Sequence, residues 1–321
     1  MSIFLISLFA VAVLLAAAVP GYILMKRKML GEECIPGFSK LLVYVVQPTL
    51  VVYTFASTTF SWEKLMSIGI FAVLCLAINA VMLGGAYLIF RRRSEDPIYR
   101  IMTVASTFAN CAFFGIPIIE ALFPEQASEL LIYTTVYAQV MNLIGWTAGS
   151  AIISRDGKYI SLKKIFLNPA SVSMLVAIAV FFIDSPFIFT IPGTAIEFTV
   201  LDSTITVLGR MATPLSMIIM GMRLATMDLK RMLTERRVYI ALFIKQVIMP
   251  LVAFLIIFLL PIDTTVKQVF YIITACPVAS VVLNYSELVG SGQREAASMV
   301  LLGTIMSIVT LPLMSLLLVL L

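Results

Sequence analysis

Apolar stretches of about 20 residues, separated by short polar segments, recur along the whole chain. A helix that crosses a bilayer needs this length, because each residue adds about 1.5 Å against a hydrocarbon core of about 30 Å. The pattern therefore predicts ten membrane-spanning helices. Their predicted bounds are 3–25, 39–57, 65–90, 101–122, 130–153, 169–184, 197–222, 238–260, 268–288 and 296–320.

Composition places the chain among the all-α polytopic membrane proteins. Hydrophobic residues make up 61% of the sequence and charged residues 12%, whereas soluble domains carry about 25% charged residues. The net charge of +5 comes from basic residues scattered over the short polar segments, which argues against a nucleic-acid partner. The chain contains no histidine, so histidine chemistry is excluded, and it contains no phosphate-binding loop motif, so ATP-driven pumping within this chain is not supported.

The loops between the predicted spans alternate in their content of lysine and arginine. With Lys40, at the very start of the second span, counted in the first loop, eighteen of the 22 basic residues lie in the odd-numbered loops, and Lys64 and Lys267 are the two in the even-numbered loops. Because cytoplasmic loops carry the excess of Lys and Arg, the odd-numbered loops are predicted to be cytoplasmic and both termini to lie outside. We expect a multi-pass protein of the plasma membrane.

Prolines fall at corresponding places in the two halves of the chain. Five spans per half reverse the direction of the second half, so residues 1–153 and 154–321 are predicted to be inverted repeats. Proline-interrupted spans at matching positions of such repeats point to a transporter binding site; a chance coincidence of two proline pairs is the alternative. The matched pairs are Pro48 with Pro214 and Pro117 with Pro277.

The fourth span contains an amide, a glycine and a proline where the centre of the bilayer is predicted. Pro117 has no backbone N–H, and its ring displaces the carbonyl of Phe113. In lipid such freed groups must be satisfied by protein or by a water-filled cavity. We expect Asn110 to contact substrate and Gly115 to allow close approach. A kinked helix whose amide only bonds a neighbouring helix is the alternative.

Polar residues of the fifth and ninth spans are candidates for the same site. Pro277 is expected to break the ninth span, and Ser280 and Asn284 follow it, while Gln139 and Asn142 lie in the fifth span. An asparagine offers two donors and an acceptor, enough to orient a carboxylate or to ligate a cation. For Asn284, an interhelical hydrogen bond that only holds the bundle together is the alternative.

Two basic residues, Lys245 and Arg210, fall inside predicted spans, where charge is costly. Lys245 could pair with an anionic substrate, but we favour snorkelling to the interface or replacement of a bound cation. For Arg210, a structural ion pair and ligand binding stay open. The four cysteines are far apart, so no metal site is predicted.

Short motifs in the fourth to tenth spans match one family in order and spacing. They are Asn110-x-x-Phe113-x-Gly115-x-Pro117, Tyr137-x-x-Val140-x-Asn142, Trp146-x-x-Gly149, Pro214-Leu215-Ser216, Gly221-x-x-Leu224, Lys245 with Pro250, Pro277, and Thr304-x-x-Ser307 with Pro312. The chain resembles a compact bacterial-type member of the auxin efflux carrier family, which includes the plant PIN-type proteins. Ala112 is a departure, because the family often has glycine there.

The resemblance implies a fold like that of bile-acid symporters and sodium–proton antiporters. The first, second, sixth and seventh helices would form a scaffold that dimerises. The third to fifth and eighth to tenth would form a transport domain in which the broken fourth and ninth helices cross. The family moves small organic anions, such as auxin in plants and malate or malonate in bacteria.

We therefore expect a secondary carrier of a small organic anion, not an enzyme, that works by alternating access of the elevator type. A ligand-binding membrane sensor without net transport is the alternative. No cofactor is expected, and a coupling ion would be a proton or sodium; the expected partners are the anion, the lipid bilayer and a second copy of the chain. The expected substrate-binding residues are Asn110, Gly115, Pro117, Asn142, Pro277 and Asn284, followed by Gln47, Gln139, Arg210, Lys245 and Ser280.

Overall fold

The computed structural model describes residues 2–156, 166–183, 189–190, 197–198 and 200–321. Helices occupy most of these residues, and Phe189–Thr190 (β1) pairs antiparallel with Glu197–Phe198 (β2). The helices are α1 Ile3–Lys26, α2 Cys34–Ala56, α3 Trp62–Phe90 (followed by a 3₁₀ turn, Arg91–Arg93), α4 Pro97–Ala105, α5 Cys111–Leu122, α6 Ala127–Ile144 (continued through Gly145–Gly149 and Ser150–Ser154), α7 Pro169–Ile183, α8 Val200–Arg210, α9 Ala212–Thr226, α10 Leu229–Thr234, α11 Arg236–Phe258, α12 Thr264–Ala275, α13 Val281–Val289 and α14 Gln293–Leu320.

The helical, polytopic character predicted from hydropathy is confirmed. Six helical segments in the described part of the chain are long and apolar enough to cross a membrane, and one of them, Leu201–Thr226, comprises α8 and α9 taken together. The predicted start of the seventh span at residue 197 is wrong, because Glu197 lies in β2 and the helix begins at Val200. That span is also interrupted at Met211, between α8 and α9. The predicted end of the sixth span at residue 184 and three basic residues of the fifth loop lie outside the described residues; these are Lys158, Lys163 and Lys164.

Three helices widen into a five-residue π-helix that ends two residues before a proline. A proline ring clashes with the carbonyl of the preceding turn and removes an N–H donor. A π turn relieves both effects, because its wider ring moves the carbonyl away. Helices α2, α5 and α11 therefore continue past their prolines. The pairs are Leu42–Val46 with Pro48, Cys111–Gly115 with Pro117, and Ile244–Ile248 with Pro250.

The helices pack in two groups. In the first, α1 packs along α9, and α2 packs against α7 and α8. The α1–α9 contact is so close that a Cβ atom on Gly221 would overlap the carbonyl oxygen of Ala18, and one on Gly21 would overlap that of Ile218. In the second group, α6 contacts α3 and α12, while α11 contacts α4, α12 and α14. Helix α14 also packs against α1, which joins the two groups.

Ion pairs join several of the odd-numbered loops. Arg155 lies 2.6 Å from Glu95, and Arg237 lies 2.8 Å from Asp96. The hydrogen bond from Arg155 lowers the pKa of the Glu95 carboxyl from its ordinary value. These contacts bring the third, fifth and seventh loops to one end of the bundle, as the alternation of basic residues requires.

Candidate functional site

Two interrupted helices meet in the buried interior, where the break between α4 and α5 lies against the break between α12 and α13. The backbone N–H of Asn110 donates to the carbonyl of Pro277 at 2.8 Å, and the N–H of Ala279 donates to the carbonyl of Phe108 at 3.0 Å. This short antiparallel pairing satisfies backbone groups that neither broken helix could satisfy alone in an apolar surrounding. The two segments singled out in the sequence are thus in direct contact.

The two breaks have different local causes. Cys276 is extended, with φ −60° and ψ 153°, as expected for a residue that precedes a proline, so Pro277 ends α12. The first break contains no proline. Pro117 lies in α5, just after its π turn, so the expectation that Pro117 opens the fourth span is wrong. That break precedes Pro117 and depends on the pairing with the second break.

Gly115 does not provide a close approach, and that expectation is also wrong. A Cβ atom built on Gly115 would lie 3.6 Å from the Sγ atom of Cys276 and 3.7 Å from the side chain of Thr134, which are ordinary contacts. The N–H of Gly115 donates to the carbonyl of Asn110 at 3.1 Å. Gly115 therefore belongs to the π turn that follows the break, and it is not among the residues that line the cavity beside the crossing.

A cavity of about 170 Å³ lies beside the crossing. Asn110 and Ser280 stand at the N-cap positions of α5 and α13, and neither side chain makes a capping hydrogen bond. The cavity therefore lies where two half-helices begin, and helix N-termini carry unpaired N–H groups and partial positive charge. Five of the predicted residues line it: Gln47, Asn110, Asn142, Ser280 and Asn284.

Lys245 lies outside this cavity. Its side chain is completely buried, and its Nζ atom donates to the carbonyl of Thr274 at 2.7 Å. The prediction that Lys245 snorkels to the interface is wrong, because the π turn of α11 directs it towards the end of α12. Contact with substrate is not supported either, and replacement of a bound cation stays a prediction.

Arg210 and Gln139 also lie outside the cavity. The guanidinium of Arg210 donates to the hydroxyl of Tyr53 at 3.3 Å and stacks 5.9 Å from the centre of that ring. No ion pair between Arg210 and a carboxylate is present within the described residues. The amide nitrogen of Gln139 is buried and has no partner in the same part of the chain.

Sequence analysis missed Arg223, because it follows the predicted end of the seventh span and counts there as a loop residue. Arg223 lies on α9, lines the cavity, and bonds Glu287 of α13 at 2.9 Å. A neighbouring cavity of about 530 Å³ is lined by Arg223, Glu287 and Lys40. Helical periodicity could have indicated Arg223. Ser216, which also lines the cavity, is seven residues before Arg223 and lies on the same face of the helix.

A buried hydrogen-bond network fixes α6 beside the crossing. The hydroxyl of Tyr137 donates to Oδ1 of Asn79 on α3 at 2.9 Å and lies 3.5 Å from the hydroxyl of Thr274 on α12. Asn79 in turn donates to the carbonyl of Cys75 at 2.8 Å. Because Tyr137 and Asn142 lie on the same helix, this network also sets the position of Asn142 in the cavity.

The model of the membrane transport protein family matches residues 6–315. The chain belongs to this family, the auxin efflux carrier family. The resemblance found in the sequence is therefore confirmed. The protein is a multi-pass membrane transporter. No curated protein matches the chain.

In this auxin efflux carrier family member, five of the residues that carry the resemblance lie beside the crossing. Asn110, Phe113, Asn142, Trp146 and Ser216 line the cavity. The ring of Trp146 contacts that of Tyr285, with ring centres 5.2 Å apart and planes at 80°, an edge-to-face arrangement that is favourable for aromatic pairs. Residues of family motifs that are far apart in the sequence thus line one cavity between the two groups of helices.

Proposed function

We propose that this transporter is a secondary carrier of small organic anions, such as carboxylates, that bind in the cavity beside the crossing. The observation that carries the proposal is the set of donors on the cavity wall: the amides of Asn110, Asn142 and Asn284 and the guanidinium of Arg223. Together with two helix N-termini, these groups favour negative charge over a neutral or cationic ligand. A volume of about 170 Å³ is smaller than the roughly 300–1,000 Å³ of pockets for drug-sized ligands, which favours a small anion.

Arg223 supplies the full positive charge of the proposed site. In the absence of an anion, the carboxylate of Glu287 neutralises it at 2.9 Å. A substrate carboxylate binds the same guanidinium, since carboxylates and arginine form strong charge-assisted hydrogen bonds. The neighbouring cavity lies between this pair and Lys40, near the start of α2, so the anion approaches from the end where the odd-numbered loops lie.

Both groups of helices contribute residues to the wall of the cavity. Movement of one group against the other would therefore expose the cavity on alternate sides of the membrane, which is alternating access of the elevator type. Gln47 and Arg223 lie on α2 and α9, whereas Asn110 lies at the crossing and Asn284 on α13, which begins there. In this proposal α1, α2 and α7 to α9 are the scaffold, α3 to α6 and α11 to α14 are the transport domain, and the halves 1–153 and 154–321 are inverted repeats. The close packing of α1 on α9 and the hydrogen-bonded crossing support two bodies that move against each other.

The proposal also covers the setting of the carrier. The odd-numbered loops face the cytoplasm, both termini lie outside, and the protein is a homodimer in the plasma membrane with contacts through the scaffold. The support is the excess of basic residues at one end of the bundle and the resemblance to dimeric carriers. The last part of the proposal is that anion transport is coupled to a proton or to sodium.

Uptake into proteoliposomes tests the proposal. Radiolabelled acetate, malonate, malate and indole-3-acetate would be supplied under proton, sodium and voltage gradients, with Asn110→Ala as the control for the cavity. We expect uptake of at least one anion, abolished by Asn110→Ala while the amount of protein in the membrane stays the same. Thermal stabilisation by an anion without uptake would indicate a membrane sensor, and neither uptake nor stabilisation with any of them would overturn the proposal.

A further inference from the structure

A basic pocket of about 470 Å³ lies away from the crossing, at the end of the bundle that carries the odd-numbered loops. None of its described lining residues also lines the cavity beside the crossing. Three arginines from separate segments of the chain line this basic pocket: Arg91 from the turn after α3, Arg100 from α4, and Arg155 from the end of α6. The proposed anion site uses none of them, so their convergence needs a separate explanation.

The basic pocket carries an excess of positive charge. Asp156 is the one carboxylate among its described lining residues, and Glu95 lies 2.6 Å from Arg155. The carboxylate of Asp96 is bonded elsewhere, to Arg237 at 2.8 Å. When Asp156 and Glu95 are both counted against the three arginines, one positive charge stays in excess. A phosphodiester carries the single negative charge that would balance it.

Arg100 is held in the pocket wall with part of its hydrogen-bonding capacity unused. Its guanidinium donates to the hydroxyl of Ser291 at 3.3 Å, but its Nε atom is buried and has no partner within the described residues. Burial and the nearby charge of Arg155 lower the pKa of the Arg100 guanidinium from its ordinary value. A buried donor without an acceptor is costly. An anion in the pocket would offset this cost and the repulsion between the two guanidiniums.

The basic pocket lies at the level where α3 leaves the bilayer. Helix α3 is long and apolar enough to cross a membrane, and Leu88 and Ile89, near its end, are each 61% exposed. These apolar side chains therefore face lipid, and Arg91 follows them directly. Tyr87 also lines the pocket, and tyrosine is enriched at the boundary between hydrocarbon and headgroups.

Helices α3 and α6 present the same order of residues to the basic pocket. Along α3 the lining passes from Tyr87 to Arg91, and along the end of α6 it passes from Ile152 to Arg155. Residues three or four apart share one face of a helix. Each helix therefore places a largely apolar side chain on the hydrocarbon side and an arginine on the headgroup side. A phospholipid has the same order of acyl chain and phosphate.

We propose that this basic pocket binds the phosphate headgroup of an anionic phospholipid, with the acyl chains lying along α3 and α6. Basic pockets between membrane helices suit such headgroups, and the guanidinium of arginine matches the geometry of phosphate. The rival explanation is that these arginines only contribute to the general excess of basic residues at this end. The two explanations differ in whether an arginine outside the pocket matters equally.

Arg100→Gln and Arg91→Gln test the pocket, and Arg92→Gln is the matched control. Arg92 lies in the same turn as Arg91, is exposed, and is not among the lining residues of the pocket. Purified, delipidated protein in a neutral detergent would be titrated with phosphatidylglycerol and with zwitterionic phosphatidylcholine. Native mass spectrometry would count the lipids bound per chain, and melting temperatures would measure the stabilisation.

We expect one phosphatidylglycerol per chain to bind the wild type and to raise its melting temperature, and phosphatidylcholine to bind more weakly. Arg100→Gln and Arg91→Gln should each weaken binding of phosphatidylglycerol by about tenfold, because each removes a hydrogen bond to a charged group. Arg92→Gln should bind as the wild type does. Equal binding of the two lipids, or equal losses in all three variants, would overturn the inference. Should Arg100→Gln fail to fold, the exposed Arg91 provides the deciding variant.

A soluble phosphate is the other source of the same chemistry. Inorganic phosphate and glycerol 3-phosphate would each be added at millimolar concentration in place of lipid. Weak stabilisation by both supports a lipid, because the acyl chains on α3 and α6 then contribute to binding. Stabilisation by glycerol 3-phosphate as large as that by phosphatidylglycerol would overturn the assignment to a lipid. These measurements involve no transport, so a failure of the proposed anion transport would leave their outcome unchanged.

Discussion

The guanidinium of Arg223 lies 2.9 Å from the carboxylate of Glu287, so a charge on α9 is bonded to a charge on α13 at the edge of the cavity. The two helices belong to different groups, and the pair must therefore break if the groups move against each other. The side chains are 24% and 44% exposed, so solvent weakens the pair and its contribution to stability is small. An anion of similar chemistry can replace Glu287.

Opposite effects on anion affinity are expected when the two members of this pair are neutralised. Arg223→Gln should weaken binding of malonate by about tenfold or more, because hydrogen bonds to a charged group contribute about 1.5–3 kcal/mol. Glu287→Gln should strengthen it, because the competing carboxylate is gone. Dissociation constants from thermal shifts would measure both, with Arg236→Gln as a control for exposed positive charge. Weaker binding in Glu287→Gln would contradict competition.

Asn110 has separate roles for its backbone and its side chain. The backbone N–H bonds Pro277, whereas the side chain lines the cavity. Asn110→Ala should therefore abolish anion uptake and change the melting temperature little, because the backbone pairing remains. Asn110→Asp should be at least as damaging, since a carboxylate of the same size repels an anion. Normal uptake by Asn110→Ala would remove this residue from the site, and a large loss of stability would assign its side chain a structural role.

Hydropathy and length predicted the helical, polytopic character of the chain, because the requirement to cross a bilayer acts on each segment separately. The breaks were harder to predict. Pro277 interrupts its helix as its sequence indicates, but Pro117 lies in a continuous helix because a π turn precedes it. The first break depends on hydrogen bonds to residues about 170 positions away in the sequence, and no local pattern indicates such a partner.

The candidate site residues divide in the same way, into those that a local sequence pattern indicates and those that depend on a distant partner. Asn110, Asn142 and Asn284 could be found because amides are conspicuous in apolar spans. Arg223 could not be found by hydropathy, because a charge at the end of a helix resembles the beginning of a loop. The partner of Lys245 is equally remote in sequence, since Thr274 lies on another helix. The π turn of α11 sets the direction of the Lys245 side chain. Without knowledge of that turn, the sequence could not distinguish a snorkelling lysine from a buried one.

The close contact between α1 and α9 predicts that one methyl group added at Gly221 lowers the stability of the protein strongly. A Cβ atom on Gly221 would overlap the backbone carbonyl of Ala18, and a helix backbone cannot move aside as a side chain can. Gly221→Ala should therefore destabilise the protein by about 1–3 kcal/mol, the usual cost of overpacking. Gly84→Ala on α3 is the matched control, because a Cβ atom there has nothing within 4 Å and alanine favours the helix. Similar melting temperatures for the two variants would contradict this packing.

The network around Tyr137 predicts a loss of stability that a neighbouring tyrosine should not reproduce. Tyr137→Phe leaves Oδ1 of Asn79 without its 2.9 Å donor in a buried site, which should cost about 1 kcal/mol. Tyr133 is the matched control on the same helix, because its hydroxyl bonds Ser67 at 2.8 Å in a pair that is only partly buried. Melting temperatures of Tyr137→Phe and Tyr133→Phe would measure the difference. Because Tyr137 also helps to position Asn142, Tyr137→Phe should weaken anion binding as well. A loss of melting temperature in Tyr133→Phe equal to that in Tyr137→Phe would show that the network has no special role.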